Sequence, residues 1–125
     1  MSAEAPVIVV KELEEKCFLG GAAIVASHVV SLGSDCKFVS IIGDDEQGSW
    51  IKNSLISNNV ESNLFIDKSR STTFKKRYLV ENQKLFRVSR LEDSNIDKDI
   101  ENKIIEKLEI LAPESDGIIL SDFVY

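Results

Sequence analysis

The segment Lys37–Ile42 (KFVSII) constrains the fold more than any other part of the sequence. Its side chains are almost continuously apolar, as in a strand of a sheet that is covered on both faces. Gly43 ends this segment, and the acidic run Asp44–Glu46 places negative charge at the beginning of the next amphipathic segment. Such a run could bind a cation, but acidic residues are expected at the start of a helix because of the helix dipole. The order predicts a strand followed by a helix.

Three segments have the apolar periodicity of helices. The first runs from Gly21 to Gly33, with Gly33 in the position of a C-terminal cap. The second follows the acidic run and fades near Asn58, and the third extends from Ile96 to Leu111. Because helices alternate with apolar strands, the sequence predicts an α/β domain with a largely parallel sheet.

The other apolar segments predict further strands. Pro6–Leu19 would form a small hairpin, and segments 72–80 and 85–88 would form another across a turn at Glu81 and Asn82. Gly117–Leu120 (GIIL) predicts one more buried strand. We therefore expect one domain over residues 1–125, with hairpin segments at about 6–19 and 72–90 and an α/β body formed by the rest.

Length and charge exclude several classes of function. A chain of 125 residues fits one domain, and 15 basic against 21 acidic residues give a net charge of -6. That charge disfavours binding of nucleic acid or an anionic membrane surface. The longest apolar stretch, from Cys17 to Val30, is too short and too mixed to cross a bilayer. The first residues do not resemble a signal peptide, so we expect a cytoplasmic protein without a membrane segment.

The chain offers no familiar metal or nucleophile constellation. Cys17 and Cys36 are 19 positions apart without a CxxC pattern, which favours two reduced thiols over a zinc site. His28, the only histidine, has no nucleophile and orienting carboxylate assigned to it, so a catalytic role is disfavoured. Neither GxxxxGK[ST] nor GxGxxG occurs, which excludes a P-loop.

Positive charge is concentrated in one segment. Residues 67–90 carry eight basic side chains and only two acidic ones, although the chain as a whole is acidic. Lys75 and Arg77 are two positions apart on a predicted strand, so they lie on one face and could hold an anionic group such as a sugar phosphate. The alternative is a solvated basic edge that discourages strand pairing.

Two further positions are candidates for ligand contacts. Gly20 and Gly21 precede a helix, so their amides could approach a hydroxyl or phosphate oxygen, although a tight turn would explain them equally. Asp122 follows the last predicted strand, where a carboxylate could accept bonds from sugar hydroxyls or reach a metal. A surface turn is the alternative there.

The order of five segments adds a family resemblance. They are SAEAPVIVV, GGAAIVASHVVSLG, VSIIGDDEQG, STTFKKRYLVENQKLFRV and IILSDFVY. Together they span practically the whole chain, and they resemble the PfkB (ribokinase-like) carbohydrate kinases. The branch that they resemble most is the heptose 7-phosphate kinase domain of ADP-heptose synthesis. Five motifs in one order are much more specific than any single motif.

The resemblance implies a partial ribokinase-like fold with a small β lid, formed by the two predicted hairpins. It implies transfer of the ATP γ-phosphoryl group to a sugar hydroxyl, with Mg²⁺ neutralising the phosphates. The implied substrate contacts are amides of the glycine pair, cations near the substrate phosphate, lid-side polar residues and a carboxylate on the floor of the site. Carried over to this sequence, they are Gly20, Gly21, Lys75, Arg77, Asn82, Gln83 and Asp122.

Departures from the family pattern modify this expectation. Ile24 replaces an asparagine that binds a sugar hydroxyl, and Ser89 and Leu91 replace acidic residues. The family's first strand, with its sugar-binding aspartate, and the GxGD segment, with the anion hole and catalytic base, have no counterpart. We therefore expect an incomplete kinase domain with no catalytic residue, no metal ligand and no bound cofactor of its own, and no phosphorylation by the chain unaided.

Two other functions stay open at this stage. The chain could be a non-catalytic module that binds a sugar phosphate through its basic residues. It could instead have a structural role, in which the lid hairpin pairs two chains edge to edge and forms a homodimer through the β lid. In each case the expected ligand is a sugar or sugar phosphate.

Overall fold

The computed structural model describes residues 9–81 and 83–122. In chain order the elements are helix α1 (Gly21–Ser31), strand β1 (Lys37–Ile42), helix α2 (Glu46–Ser57), strands β2 (Glu61–Ile66), β3 (Phe74–Val80) and β4 (Gln83–Arg90), and helix α3 (Lys98–Leu111). A short 3₁₀ turn (Ala112–Glu114) follows α3. This order confirms the predicted α/β fold class and the order of its helices.

Strands β1 and β2 form a parallel pair, with Lys37 opposite Glu61 and Ile42 opposite Ile66. Helix α2 connects them, since a parallel pair needs a crossover connection. The core lies on one face of this pair, and it combines residues of α1, β1, α2 and the turn after α2: Ala23, Ala26, Phe38, Leu55 and Val60. Lys37 lies on the opposite face from Phe38 and bonds Glu114 after α3 at 2.6 Å, so α3 is tied to the other face.

Helix ends follow the sequence signals closely. Asp45 caps α2 and Asp97 caps α3, each by accepting a hydrogen bond from a backbone amide of the first turn. Helix α2 ends before Asn59, whose φ of +56° reverses the chain towards β2. Gly33 follows α1 with a φ of +92°, a conformation that favours glycine. The predicted helix boundaries at these positions are confirmed.

Strands β3 and β4 form a separate antiparallel hairpin. Phe74 lies opposite Arg90 and Arg77 lies opposite Arg87, and the register shifts by one residue between Tyr78 and Leu79. All described side chains of β4 are exposed. This hairpin is therefore a two-stranded ribbon outside the core, at the segments where the sequence predicts a hairpin.

The predicted hairpin at residues 6–19 is wrong for its described part. Residues 9–20 contain no strand, and Leu13 and Phe18 are largely exposed. An isolated two-stranded hairpin is only marginally stable, and within the described part of this segment Leu19 alone packs against the core cluster. It is instead held through Glu12 and Glu15, whose carboxylates lie 3.3 Å from the ammonium of Lys76 on β3. Residues 6–8 lie outside the described residues.

The predicted strand at Gly117–Leu120 is also wrong. These residues pair with no strand in the described part of the chain, and Ile118, Ile119 and Leu120 are 64 to 87% exposed. Apolar composition alone does not make a strand, because backbone amides and carbonyls need a neighbouring strand to bond. Among the described residues, no helix has the length and apolar character needed to cross a membrane.

Candidate functional site

The turn between β1 and α2 is joined to the segment before β3 through one carboxylate. Oδ1 of Asp45 accepts hydrogen bonds from the Gly48 amide at 2.8 Å and the Thr72 hydroxyl at 2.6 Å. Its Oδ2 accepts the Thr72 amide at 2.8 Å. The Gly43 amide donates to the Thr72 hydroxyl oxygen at 2.9 Å. This group, which we call the Asp45 clamp (Gly43, Asp45, Gly48 and Thr72), fixes the base of the β3–β4 hairpin to the body.

Two glycines of the clamp are required by close packing. A Cβ at Gly43 would lie 2.5 Å from the Arg70 carbonyl oxygen and 2.7 Å from the Thr72 nitrogen. A Cβ at Gly48 would lie 2.6 Å from the Gly43 carbonyl oxygen. These contacts involve backbone atoms, so a side chain could enter only if the chain moved. The acidic run and its glycines are thus explained by packing and helix capping.

Burial opposes ionisation of Asp45 and would raise its pKa. Hydrogen bonds from the Thr72 hydroxyl and from the Gly48 and Thr72 amides outweigh this effect, so the pKa of Asp45 is lowered. Both carboxylate oxygens already accept hydrogen bonds within the chain. Asp45 is therefore committed to structure. Within residues 9–81 and 83–122, no group of three or more His, Cys, Asp or Glu side chains is placed to hold a metal ion.

A second anchor lies at the end of β2. Asp67 is 2% exposed and accepts hydrogen bonds from the Ser69 hydroxyl at 2.6 Å and from Nε of Arg70 at 2.8 Å. The Ser69 and Arg70 bonds lower the pKa of Asp67. Arg70 also donates from Nη2 to the Ser94 carbonyl oxygen at 3.0 Å. Because Ser94 follows β4, this anchor joins the two chain segments that enter and leave the hairpin.

The hairpin carries the predicted cation pair. Lys75 and Arg77 alternate with Lys76 along β3, so they share one face, as the sequence predicts. The register places Ser89 opposite Lys75 and Arg87 opposite Arg77 on that face. We call it the basic face. The basic face thus brings Lys75, Arg77 and Arg87 to one side of the hairpin.

The opposite face of the hairpin has a different character. Tyr78 and Phe86 stack there with ring centroids 4.6 Å apart, and the Lys76 ammonium lies 5.4 Å from the Tyr78 ring centroid. Desolvation opposes the charge of Lys76, but its bonds to Glu12 and Glu15 outweigh this and raise its pKa. Lys76 is thus neutralised by acidic partners.

The glycine pair stands at the N-terminus of α1. Gly20 has φ -128° and ψ 172°, a conformation open to any residue, and a Cβ there would meet no atom within 4 Å. Gly21 has a φ of +53°, in the left-handed region that favours glycine. No side chain caps α1, and the Ala23 amide donates to the Gly20 carbonyl oxygen at 3.2 Å. Ile24, which stands one turn further on, is 36% exposed.

The structure does not gather all predicted site residues in one place. Gln83 begins β4, opposite Val80, on the hairpin. Asn82 lies outside the described residues. Asp122 is exposed and follows the unpaired segment 117–120, so it does not stand at the end of a buried strand. Its predicted place at the edge of the sheet is not formed in this structure.

Sequence reasoning missed three features of this region. It assigned Asp45 to the helix start but not to Thr72, and it gave Asp67 and Arg70 no partners. It also left out Arg87, which lies directly across from Arg77. None of the three follows from spacing. Folding the predicted hairpin about Glu81 and Asn82 would place Phe86 opposite Arg77, and only the register shift after Tyr78 brings Arg87 to that position.

The amino-acid sequence is similar to those of several curated proteins, of which three are described here. It is 40% identical over 124 residues to the bifunctional protein HldE of Helicobacter hepaticus. It is 35% identical over 124 residues to HldE of Helicobacter pylori strain P12, and 35% over 123 residues to HldE of Campylobacter jejuni subsp. doylei. Each alignment covers 98% of this chain but 25 to 27% of the relative. The chain therefore spans about a quarter of the length of the curated relatives it matches.

The fold is also found in a solved structure. The crystal structure of a protein from Clostridium perfringens described as a sugar kinase matches with a TM-score of 0.67 at 19% identity, over 84% of this chain and 34% of the other. At this identity the match speaks for the fold alone. No protein-family model matches the chain. The relatives confirm the sequence resemblance as similarity to one segment of the HldE proteins, and the solved structure confirms the partial sugar-kinase fold.

Proposed function

We propose that this chain, a homologue of one segment of the HldE proteins, forms the sugar-binding and lid segments of an ATP-dependent heptose phosphate kinase and does not transfer phosphoryl groups unaided. The observation that carries the proposal is similarity to HldE over 98% of the chain, in a segment that adopts part of a sugar-kinase fold. The geometry of the hairpin and of the α1 N-terminus supports it.

The basic face is suited to the anionic end of such a substrate. Lys75 and Arg77 present an ammonium and a guanidinium on one side of β3, and Arg87 lies across the ladder. Guanidinium groups bind phosphate through paired N–H donors, which fixes the orientation of the bound group as well as its position. A sugar phosphate is therefore a better fit than a neutral sugar.

The glycine pair is suited to the hydroxyl end. Neither the backbone conformation nor the packing at position 20 requires a glycine. We infer that the missing side chain serves to leave the Gly20 amide open to a ligand atom. Ile24 stands near that end of α1 and cannot make the hydrogen bonds of an asparagine. We therefore propose that amides bind the sugar here and that the interaction is weak, with the phosphate supplying most of the affinity.

In the proposed activity, ATP and Mg²⁺ bind to a larger assembly that includes this chain and not to this chain alone. The carboxylate oxygens of Asp45 and Asp67 accept hydrogen bonds within the chain. These two carboxylates are thus committed to the fold, and we derive no transfer step through a nucleotide-bound metal ion. A base and an anion hole would have to come from elsewhere, since phosphoryl transfer depends on positioning and charge stabilisation.

A binding and turnover experiment tests this proposal. The purified chain is titrated by calorimetry with a heptose 7-phosphate, and the same sample is assayed for ATP consumption. We expect binding without turnover, and we expect Arg77→Gln to weaken binding about tenfold, because a charge-assisted pair of bonds is lost. Lys68→Gln is the matched control. Lys68 is exposed outside the hairpin, and its ammonium lies 3.9 Å from the Asp44 carboxylate. Turnover by the chain alone, or absence of binding, contradicts the proposal.

A second function, dimerisation through the hairpin, is favoured by one observation. Val80, Phe86 and Val88 are about half exposed, and Phe86 and Val88 lie on the face that carries Tyr78. A second copy of the chain could cover these side chains, since exposed apolar surface favours association. Multi-angle light scattering tests this: a dimer that Val88→Lys disrupts is expected, and a monomer at high concentration contradicts it.

We also propose a cytoplasmic location. Cys17 and Cys36 are free thiols in the described chain, as is usual in a reducing compartment. Burial raises the pKa of the Cys36 thiol, which makes it a poor nucleophile and metal ligand. Fluorescence of a tagged chain compared with a cytoplasmic marker checks this location, and export of the tagged chain contradicts it.

A further inference from the structure

The segment before α1, residues 9–20, meets the β3–β4 hairpin at Lys76. The carboxylates of Glu12 and Glu15 each lie 3.3 Å from the Lys76 ammonium, which also lies 5.4 Å from the Tyr78 ring centroid. The Lys76 side chain is 27% exposed, so it is mostly shielded from water, unlike the long side chains of most surface ion pairs. We call Glu12, Glu15 and Lys76 the tether.

The tether holds the hairpin at a point beyond its base. The Asp45 clamp fixes the chain where it enters β3, and Arg70 bonds the segment that follows β4. Lys76 is the third residue of β3, so it lies further along the ribbon than either of these anchors. Because two strands have no core of their own, a ribbon bonded only at its base could pivot there. The tether adds the third point that fixes the orientation of the hairpin.

The other end of the tether leads directly to the glycine pair. Leu19 packs against the core cluster, and Gly20 and Gly21 follow it at the start of α1. Four residue steps separate Glu15 from Leu19. Such a segment spans at most about 14 Å when fully extended. While the ion pairs are formed, the hairpin therefore cannot move far from the N-terminus of α1.

We propose that Lys76 is a positioning residue, which holds the hairpin at a fixed distance from the glycine pair so that one sugar phosphate contacts both. Lys76 alternates with the cations of the basic face and lies on the other face, so it acts through the tether and does not touch the ligand. A ligand that spans two pre-positioned sites gains affinity, because its second contact forms at a high effective concentration. This inference deepens the proposed function, on which its choice of ligand rests.

Two ligands of different reach test this role by calorimetry and ³¹P line broadening. In Lys76→Met we expect about tenfold weaker binding of a heptose 7-phosphate, because its two ends no longer meet pre-positioned partners. Inorganic phosphate spans no second site, so its affinity should stay within about twofold of the wild-type value, since solvent screens a charge on the other face. Lys76→Arg should restore heptose 7-phosphate binding, because a guanidinium can contact both carboxylates. Equal loss for both ligands, or no loss in Lys76→Met, overturns the proposal.

Changes in the acidic partners separate positioning from charge. Glu12→Gln combined with Glu15→Gln removes two negative charges, so a purely electrostatic role predicts tighter binding of an anionic ligand. The tether predicts weaker heptose 7-phosphate binding instead, by the same factor as Lys76→Met, and no further loss when all three changes are combined. Glu14→Gln is the matched control, since the Glu14 carboxylate lies 3.2 Å from Lys16 in the same segment, and it should bind like the wild type. Tighter binding in the double variant overturns the proposal.

A distance measurement without ligand separates this inference from the proposed function. Nitroxide labels are placed on the exposed Cys17 and on Lys84→Cys near the far end of the hairpin, in a Cys36→Ser background. Electron paramagnetic resonance should give a narrow distribution of label distances, which Lys76→Met broadens and Glu14→Gln leaves unchanged. An unchanged distribution in Lys76→Met overturns the tether and leaves the proposed function standing if heptose 7-phosphate binds. A broadened distribution in a chain that binds no heptose 7-phosphate supports the tether and contradicts the proposed function.

Discussion

The parallel body and the β3–β4 hairpin differ in how they place their side chains: the body buries them, and the hairpin exposes them. In the body, Leu55 is fully buried, and the buried side chains of Asp67 and Thr72 are hydrogen-bonded. In the hairpin every described side chain of β4 is exposed, and two arginines face each other. The difference teaches that stability resides in the body, whereas the hairpin keeps charge and surface available for a ligand.

The largest effect expected from this contrast is the loss of the central core residue. Leu55→Ala should lower the free energy of unfolding by about 3 kcal/mol, because it removes buried methyl groups and leaves a cavity. Leu79→Ala on the hairpin is the matched control, since Leu79 is 53% exposed, and it should change stability by less than about 0.5 kcal/mol. Urea unfolding followed by far-UV circular dichroism measures both. Equal costs would break the comparison.

The glycines give a second contrast. Gly43→Ala should lower the free energy of unfolding by about 2 kcal/mol, because its Cβ would meet the Arg70 carbonyl oxygen and the Thr72 nitrogen. Gly20→Ala, whose Cβ would meet nothing, should leave stability within about 0.5 kcal/mol of the wild type. The same urea measurement applies. If Gly20→Ala is the more destabilising change, Gly20 has a structural role and the proposal that its amide serves a ligand loses its basis.

The Asp45 clamp gives an effect that depends on pH. Asp45→Asn should cost about 1.5 kcal/mol at pH 7, because the amide group that replaces one carboxylate oxygen cannot accept the Thr72 amide bond. The pKa of Asp45 is lowered in the folded chain, so its stabilisation is complete above about pH 4 and is lost as the pH falls through the folded pKa. The difference between wild type and variant should therefore shrink below pH 4 in urea titrations. A constant difference down to pH 2 would contradict this account.

The smallest expected effect is at the exposed link between β1 and the 3₁₀ turn. A hydrogen bond from Lys37 lowers the pKa of Glu114, and the same bond raises that of Lys37. Lys37→Gln should nevertheless shift the urea midpoint less than Asp45→Asn does, because solvent screens an exposed pair. A larger shift would mean that α3 depends on this contact more than on its packing.

Sequence reasoning predicted the body better than the site. The segment KFVSII, the acidic run Asp44–Glu46 and the periodicity of three helices are local signals, so β1, α2 and α3 were found near their observed bounds. Residues 117–120 have an apolar, β-prone composition, but a strand also requires a partner that composition does not reveal. The same limit applies to the placement of Asp122.

Site residues differed in the same way. The shared face of Lys75 and Arg77 follows from strand alternation and could be predicted, as could the turn near Glu81. The bond between Asp45 and Thr72 spans 27 positions, and no spacing rule joins such distant residues. The sequence therefore predicts which residues carry charge, and the fold determines which of those charges are already paired.

Amide mapping by NMR is the most direct test of the central claim that the ligand belongs to the hairpin and the glycine pair. A ¹⁵N-labelled chain is titrated with a heptose 7-phosphate, and shifts of all assigned amides are recorded. The account predicts saturating shifts at Gly20, Gly21 and the basic face near Arg77 and Arg87, with the core around Leu55 unchanged. Shifts confined to the body, or none at saturating ligand, would contradict it.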